Sequence, residues 1–372
     1  MPSFHLREAD PGPDWVYDRL HDLEVAVSLE VHGEDQAVSA DWNRVAQANE
    51  RTALKALLVA VPGPAPRGVP EGRYGLPDVG SEPLELLAAA QFTMPTADNQ
   101  HLVDDLYLQV RADRRREGIG AALWREVARI GREHGRSTVL GWTEHLIGSS
   151  PGAETIAAPS GTGHVPLDGP ARFARSLGLA LAQVERQSRL QLPVPHERLA
   201  ELRASAEERA LPGYRVKSWV GPAPAEHLDR LATLYRDLST DAPLGQIEFK
   251  PESWDADRVR HSDEVKHRTG RSLFTLAVDA ATGEAAGLTE LHIHNAHPHR
   301  PEQWTTVVAG AHRGHRLGLL IKVANLELLA LAEPTARYLD TWNADENQHM
   351  LAINTALGFR PHAVNGAWQA NL

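Results

Sequence analysis

Leu106-Tyr107-Leu108-Gln109-Val110 followed by Arg111-Ala112-Asp113-Arg114-Arg115-Arg116-Glu117-Gly118-Ile119-Gly120 decides how this chain folds. The first five residues alternate as a strand does, the next ten form a charged loop closed by two glycines, and Ala121 to Glu133 carries a helical pattern. The order recurs further along. Trp304 to Ala309 reads as a strand, Gly310-Ala311-His312-Arg313-Gly314-His315-Arg316-Leu317-Gly318 as a loop, and a helix runs on to about Ala332. Val110, Arg115 and Gly120 lie 198 positions before Val308, Arg313 and Gly318, so the chain contains an internal repeat.

The repeat extends beyond the loops. A further strand follows each helix, Thr138 to Thr143 and Tyr338 to Trp342, and each half closes on Leu-Gly plus an apolar residue, Leu177-Gly178-Leu179 and Leu357-Gly358-Phe359. The first half carries an extra stretch, Gly148 to Pro170, whose Gly, Pro, Ser and Thr content marks a surface loop that is either a lid or slack. Leu211-Pro212-Gly213 punctuates the chain between a polar helical stretch and a fresh alternating segment. The expected domains are therefore 1–210 and 211–372.

Composition narrows the function. The 372 residues suffice for two domains with cores of their own, and 42% hydrophobic with 23% charged residues is a globular balance. A net charge of −11 argues against a general nucleic-acid or anionic-membrane binder. The absence of cysteine removes disulfides, thiolate metal sites and cysteine nucleophiles. Met1-Pro2-Ser3-Phe4-His5 shows no basic segment leading into an apolar one, and Lys322, Asn325 and Glu327 interrupt the greasiest run, so the expected compartment is the cytoplasm.

Arg115-Arg116-Glu117-Gly118-Ile119-Gly120 sets a run of backbone N–H groups at a helix N-terminus, where unpaired donors and the helix dipole favour an anion such as phosphate. No Lys-Ser/Thr pair follows and no three-glycine dinucleotide fingerprint is present. With these residues in place the chain resembles a tandem member of the GCN5-related N-acetyltransferase (GNAT) superfamily. The family's acetyl-CoA loop, Gln/Arg-x-x-Gly-x-Gly/Ala, is matched by Arg115, Gly118 and Gly120 after Val110. In the second half Val308, Arg313 and Gly318 match, whereas Arg316 stands where the middle glycine is expected; Gly314, His312 and His315 complete a flexible, cationic loop. The Asn-to-Gly-Phe stretch near the family's domain end maps onto Asn347, Met350, Asn354, Gly358 and Phe359, with Asn354 in the slot of the tyrosine that often protonates the leaving thiolate; the first-half slot holds Ala174.

The resemblance implies an α/β fold of two acetyltransferase-type domains, each a mixed, largely antiparallel twisted sheet flanked by helices. It implies direct transfer of an acetyl group from acetyl-CoA to the amine of a small molecule, with Val110, Arg115, Arg116, Gly118, Ile119 and Gly120, then Val308, Arg313, Gly314, His315, Arg316, Gly318 and Asn347, around the donor. Monomer (as a pseudo-dimer) and homodimer both stay open. The alternative is a non-catalytic acetyl-CoA-binding or regulatory protein with degenerate domains.

An amine nucleophile must lose a proton, so a base is needed. The candidate is Glu290 in the alternating segment Ala286 to His294, where apolar neighbours would raise its pKa; His292 shares its face and is the second candidate. Asn354 completes the catalytic candidates. His292, His294, His297 and His299 crowd one stretch, but Pro298 and Pro301 mark the later pair as loop and no H-E-x-x-H motif occurs, so no metal is expected. Asp237 to Trp254, acidic and aromatic, lies where the resemblance places the acceptor side of the cleft, or else is a solvated charged helix capped by core aromatics.

Overall fold

The computed structural model describes residues 4–9, 12–48, 51–149 and 151–372. Of the segments weighed above, Met1-Pro2-Ser3 and Ser150 lie outside them. The chain divides into two compact units. Unit 1 is Met1–Val184 with Gly245–Phe249 and Val364–Leu372; unit 2 is Glu185–Leu244 with Lys250–Ala363. The boundary expected after residue 210 falls within unit 2, because one long strand starts in unit 1 and ends in unit 2, and the last strand of the chain does the reverse.

In unit 1 the elements are β1 (Phe4–Glu8), α1 (Asp14–His32), α2 (Ala40–Ala46), β2 (Ala53–Pro62), β3 (Ala88–Pro95), β4 (Leu102–Val110), α3 (Ile119–Glu133), β5 (Thr138–Leu146), the short pair β6 (Thr155–Ala157) and β7 (His164–Pro166), α4 (Gly169–Ser176) and the start of β8 (Ala180–Gln191). β1 to β4 pair antiparallel in order, and β4 pairs parallel with β5. The run Leu57-Leu58-Val59-Ala60-Val61 in β2 is buried on both faces. Leu58 and Ala60 pack with Leu123, Val127 and Ile130 of α3, while Leu57, Val59 and Val61 pack with Val16, Leu20 and Leu23 of α1. Each such aliphatic side chain contributes roughly 1.5–3 kcal/mol on burial.

Unit 2 repeats the plan with α5 (His196–Ala210), β9 (Tyr214–Val220), α6 (Leu228–Asp241), α7 (Ala256–Lys266), β10 (Gly270–Asp279), β11 (Ala285–His294), β12 (Glu302–Val308), α8 (Leu317–Ala332), β13 (Tyr338–Ala344), α9 (Gln348–Leu357) and the start of β14 (Arg360–Asn371). β9 to β12 pair antiparallel, β12 pairs parallel with β13, and β13 pairs antiparallel with Glu185–Gln191 of β8. Both units are thus mixed, largely antiparallel α/β sheets flanked by helices. α8 is apolar nearly all round because it is covered twice: Val323, Leu326 and Leu329 meet the sheet, and α5 packs on the helix with Arg203 reaching Glu327.

Candidate active site

The two glycine loops share a backbone conformation that their sequences do not share. After β4, a single 3₁₀ turn at Ala112–Arg114 leads to positive φ at Arg116 (68°) and Gly118 (83°). After β12, the turn at Gly310–His312 leads to positive φ at Gly314 (85°) and Arg316 (56°), which are the same two positions 198 residues on. Glycine and arginine have exchanged places. Gly118 and Arg316 each precede the first residue of the following helix, where the first N–H groups lack intrahelical partners. Ile119 and Gly120 open α3, and Leu317 and Gly318 open α8.

A second repeated feature fixes each loop. Arg115 Nε donates to the Val110 carbonyl at 3.1 Å and its two terminal nitrogens reach Glu30 of α1 at 2.6 Å. Arg313 Nε donates to the Val308 carbonyl at 3.4 Å, and Nη2 reaches Asp241 of α6 at 2.6 Å. Asp241, expected to face an acceptor amine, is occupied as this clamp. The remaining basic side chains of the second loop are also engaged: His312 and His315 sit 3.2 and 3.4 Å from the Tyr214 hydroxyl, and Arg316 donates to the Ser205 carbonyl at 3.0 Å. Arg116 is exposed, with no ion pair among the described residues.

Upstream of each loop the central strands part. β4 and β5 pair only at Leu102–Thr138, Val103–Val139 and Leu106–Gly141; β12 and β13 pair only at Glu302–Asp340 and Gln303–Thr341. A bulge sits just before the parting in both: the register of β3 on β4 shifts between Gln91 and Thr93, and that of β11 on β12 between Thr289 and Leu291. A bulge leaves residues outside the ladder and bends the strand. In unit 2 the fork between β12 and β13 holds a cavity of about 160 Å³. Its walls include Gln303, Thr305 and Thr306 of β12, Thr341 and Asn343 of β13, and Lys322 of α8. Glu185, Trp342, Asn347, Met350 and the end of α6 at Leu238 also border it.

Glu290, His292 and Asn354 do not converge on this cavity. Glu290 is fully buried, and its surroundings are not the apolar ones expected. Tyr235 donates to it at 3.1 Å, Ser272 at 3.0 Å and Lys266 at 2.8 Å. Alternation along β11 turns Glu290 toward α6 and α7, and those helices supply Tyr235 and Lys266. Unit 1 has the same link with its carboxylate on the other partner: Gln91 of β3 donates to Glu24 of α1 at 2.9 Å. Glu24 lies 211 positions before Tyr235, as Glu30 does before Asp241. Burial raises the Glu24 carboxyl above its usual range, against the hydrogen bonds from Asn43 and Gln91.

His292 stacks on Trp304 with ring centroids 4.2 Å apart, and burial, then His294, pushes its pKa down to about 3. At neutral pH it is an uncharged packing group. Glu302 is held down to about 2 by the hydrogen bonds and charge of His294 and the Trp304 N–H, which outweigh burial. Among the described residues no group of three or more His, Asp or Glu is placed to hold a metal. Asn354 is buried one layer behind the cavity: its Nδ2 donates to Asn343 Oδ1 at 2.7 Å, and Asn343 forms part of the wall. Asn347 caps α9 by accepting from the Met350 N–H at 3.2 Å and borders the cavity directly.

Two sheets with a parted central pair, each followed by a positive-φ loop at a helix N-terminus, have counterparts among solved structures. A tandem GNAT protein from the clavulanic acid biosynthesis pathway superposes with a TM-score of 0.71 at 23% identity, covering 99% of this chain and 98% of that one. The fold is that of the tandem GNAT proteins. A GNAT protein from Sphaerobacter thermophilus matches with a TM-score of 0.60 at 12% identity, over 100% of this chain and 96% of that one. Saccharomyces cerevisiae N-myristoyltransferase with bound myristoyl-CoA matches with a TM-score of 0.56 at 12% identity, over 100% and 79%. No family profile and no curated protein matches the sequence. Among the described residues no helix is long and apolar enough to cross a membrane.

The sequence does not show that Lys322, Glu185 and Asn343 border the cavity. Lys322 sits inside an apolar helical run, and nothing local to it shows that the strand fork lies beneath. Glu185 and Asn343 belong to strands whose pairing partner is distant in sequence.

Proposed function

We propose that the protein is an acetyl-CoA-dependent N-acetyltransferase with a small amine as acceptor, working in unit 2. The observation that carries the reading is the cavity in the β12/β13 fork, on the strand that runs directly into the anion-binding loop. On this reading the loop N–H groups at Arg316 to Gly318 hold the pyrophosphate, with Arg313 clamped beside them. The bulge at Trp304–Thr305 presents backbone N–H groups outside the ladder to the thioester carbonyl, stabilising the oxyanion as the amine attacks. Glu185, the carboxylate bordering the cavity, attracts the ammonium form and takes its proton through water. The CoA thiolate leaves without a side-chain acid. Asn354 holds Asn343 in place.

Glu290 then serves as a latch between β11 and the helices over it. The cavity volume of about 160 Å³ supports acetyl or a similarly short acyl group over a long chain. Unit 1, with the same loop conformation, is a second donor site. A binding role without turnover is the other reading, favoured by Asn354, which has no titratable proton to give.

Release of free CoA thiol from acetyl-CoA in the presence of a panel of small amines tests the proposal. Amine-dependent release that is lost in Gly318→Glu supports it. Release lost in Gly120→Glu but kept in Gly318→Glu moves the working site to unit 1, and bound acetyl-CoA without release under any amine supports the binding role.

A further inference from the structure

Lys322 lies on the second turn of α8, 2% exposed, and borders the cavity in the β12/β13 fork. Among the described residues it makes no hydrogen bond or ion pair; the ring of Phe359 lies 5.8 Å from Nζ. Glu185 borders the same cavity from β8 without an ion pair to this ammonium, and burial lowers the Lys322 pKa from 10.5 to about 7. A large fraction of Lys322 therefore carries a free lone pair at neutral pH. The equivalent residue 198 positions earlier is Trp124, which packs into the apolar core of unit 1. A lysine has replaced an indole at a place where, among the described residues, it makes no ion pair.

We propose that Lys322 is itself an acyl acceptor, its Nζ taking the acetyl group of acetyl-CoA bound in unit 2. This rests on the donor reading of that unit. The Nζ lone pair attacks the thioester carbonyl carbon, the C–N bond forms and the C–S bond breaks. CoA departs as its thiolate and receives the proton released from nitrogen, so nothing is oxidised or reduced. The product is a neutral amide, which removes the cost of burying an unpaired cation. Thr306, Thr341 and Asn343 of the wall can partner its N–H and carbonyl.

Size favours the same acceptor. The cavity's roughly 160 Å³ falls short of the ~300–1,000 Å³ typical of a drug-sized ligand site, leaving space for a thioester end beside Lys322 but not for a second bulky amine with it. Without an amine to take the acetyl group, the acetylated side chain fills the fork, so self-acetylation competes with amine acetylation and shuts the site of unit 2.

The test is incubation of the full chain with acetyl-CoA at pH 6 and pH 8, with peptide mass spectrometry and parallel calorimetry of acetyl-CoA binding. The expected result is one acetyl group at Lys322, added about tenfold faster at pH 8, as the neutral fraction of a group with a pKa near 7 requires. Lys322→Met should keep the fold and take no label there, and Gly318→Glu should abolish labelling of Lys322. Acetyl-CoA bound in unit 2 with Lys322 unmodified overturns the inference and leaves the donor reading standing. No acetyl-CoA binding overturns both. Labelling of Lys322 no faster than that of exposed Lys217 and Lys250, and indifferent to Gly318→Glu, overturns the inference by showing solution chemistry alone.

Discussion

Arg316 adopts a left-handed φ of 56° at the loop position where Gly118 adopts 83°. Such a conformation costs a residue with a Cβ roughly 1–2 kcal/mol, and Arg316 bears it with its guanidinium bonded to Ser205 of α5. Arg316→Gly should therefore change stability by less than about 1 kcal/mol, the relief of φ offsetting the lost bonds and the looser unfolded chain. Gly118→Val should destabilise unit 1 by roughly 2 kcal/mol. Urea unfolding of both variants checks the pair; equal effects would show that the loop conformation differs from the one described.

The helix openings differ in the space behind them. A Cβ on Gly120 would stand 2.7 Å from Phe173 Cζ, an aromatic ring wedged from α4, whereas one on Gly318 would stand 3.0 Å from the Cδ1 tip of Ile353, which can rotate. Gly120→Ala should cost about 1–3 kcal/mol from overpacking, and Gly318→Ala less than about 1 kcal/mol. Thermal unfolding of the two alanine variants reads the difference.

Lys322 makes stability depend on pH in a defined direction. Its folded pKa, lowered by burial to about 7, lies below the ordinary 10.5, so between these values the unfolded chain binds the extra proton and stability rises with pH. Below about pH 7 the lysine is charged in both states and the full penalty of burying it remains. Relative to Lys322→Met, the unmodified protein should gain roughly 2.5–3 kcal/mol between pH 6 and pH 9. Denaturant unfolding of both at several pH values checks this, and a constant difference would mean that Lys322 keeps its proton in the folded state.

Glu290 holds Lys266, Tyr235 and Ser272 together, as Glu24 holds Gln91 and Asn43. Glu290→Gln should cost roughly 2 kcal/mol by breaking the pair with Lys266. Acetyl-CoA affinity should be unchanged and turnover per folded molecule within about threefold of the parent. A hundredfold loss of turnover with the fold intact would restore Glu290 as the base.

Much of the fold was legible because strand, loop and helix recur at one offset: Val110, Arg115 and Gly120 against Val308, Arg313 and Gly318 expose two copies of one plan. The loop conformation was half legible, since glycine marks positive φ only where glycine is used, and Arg116 and Arg316 hide the other two positions. The surroundings of Glu290 were not legible at all. Alternation along β11 finds its face, but Lys266 and Tyr235 arrive from helices 24 and 55 residues away, and no local pattern announces them. The same holds for Lys322, whose meaning depends on the gap between two strands.

The claim that a CoA thioester docks at these loops is tested most directly by calorimetric titration of acetyl-CoA into the parent protein, Gly120→Glu and Gly318→Glu, each confirmed folded. The account predicts binding to the parent, with the site in unit 2 lost in Gly318→Glu and retained in Gly120→Glu. Absence of binding to the parent, or binding indifferent to both substitutions, would contradict it.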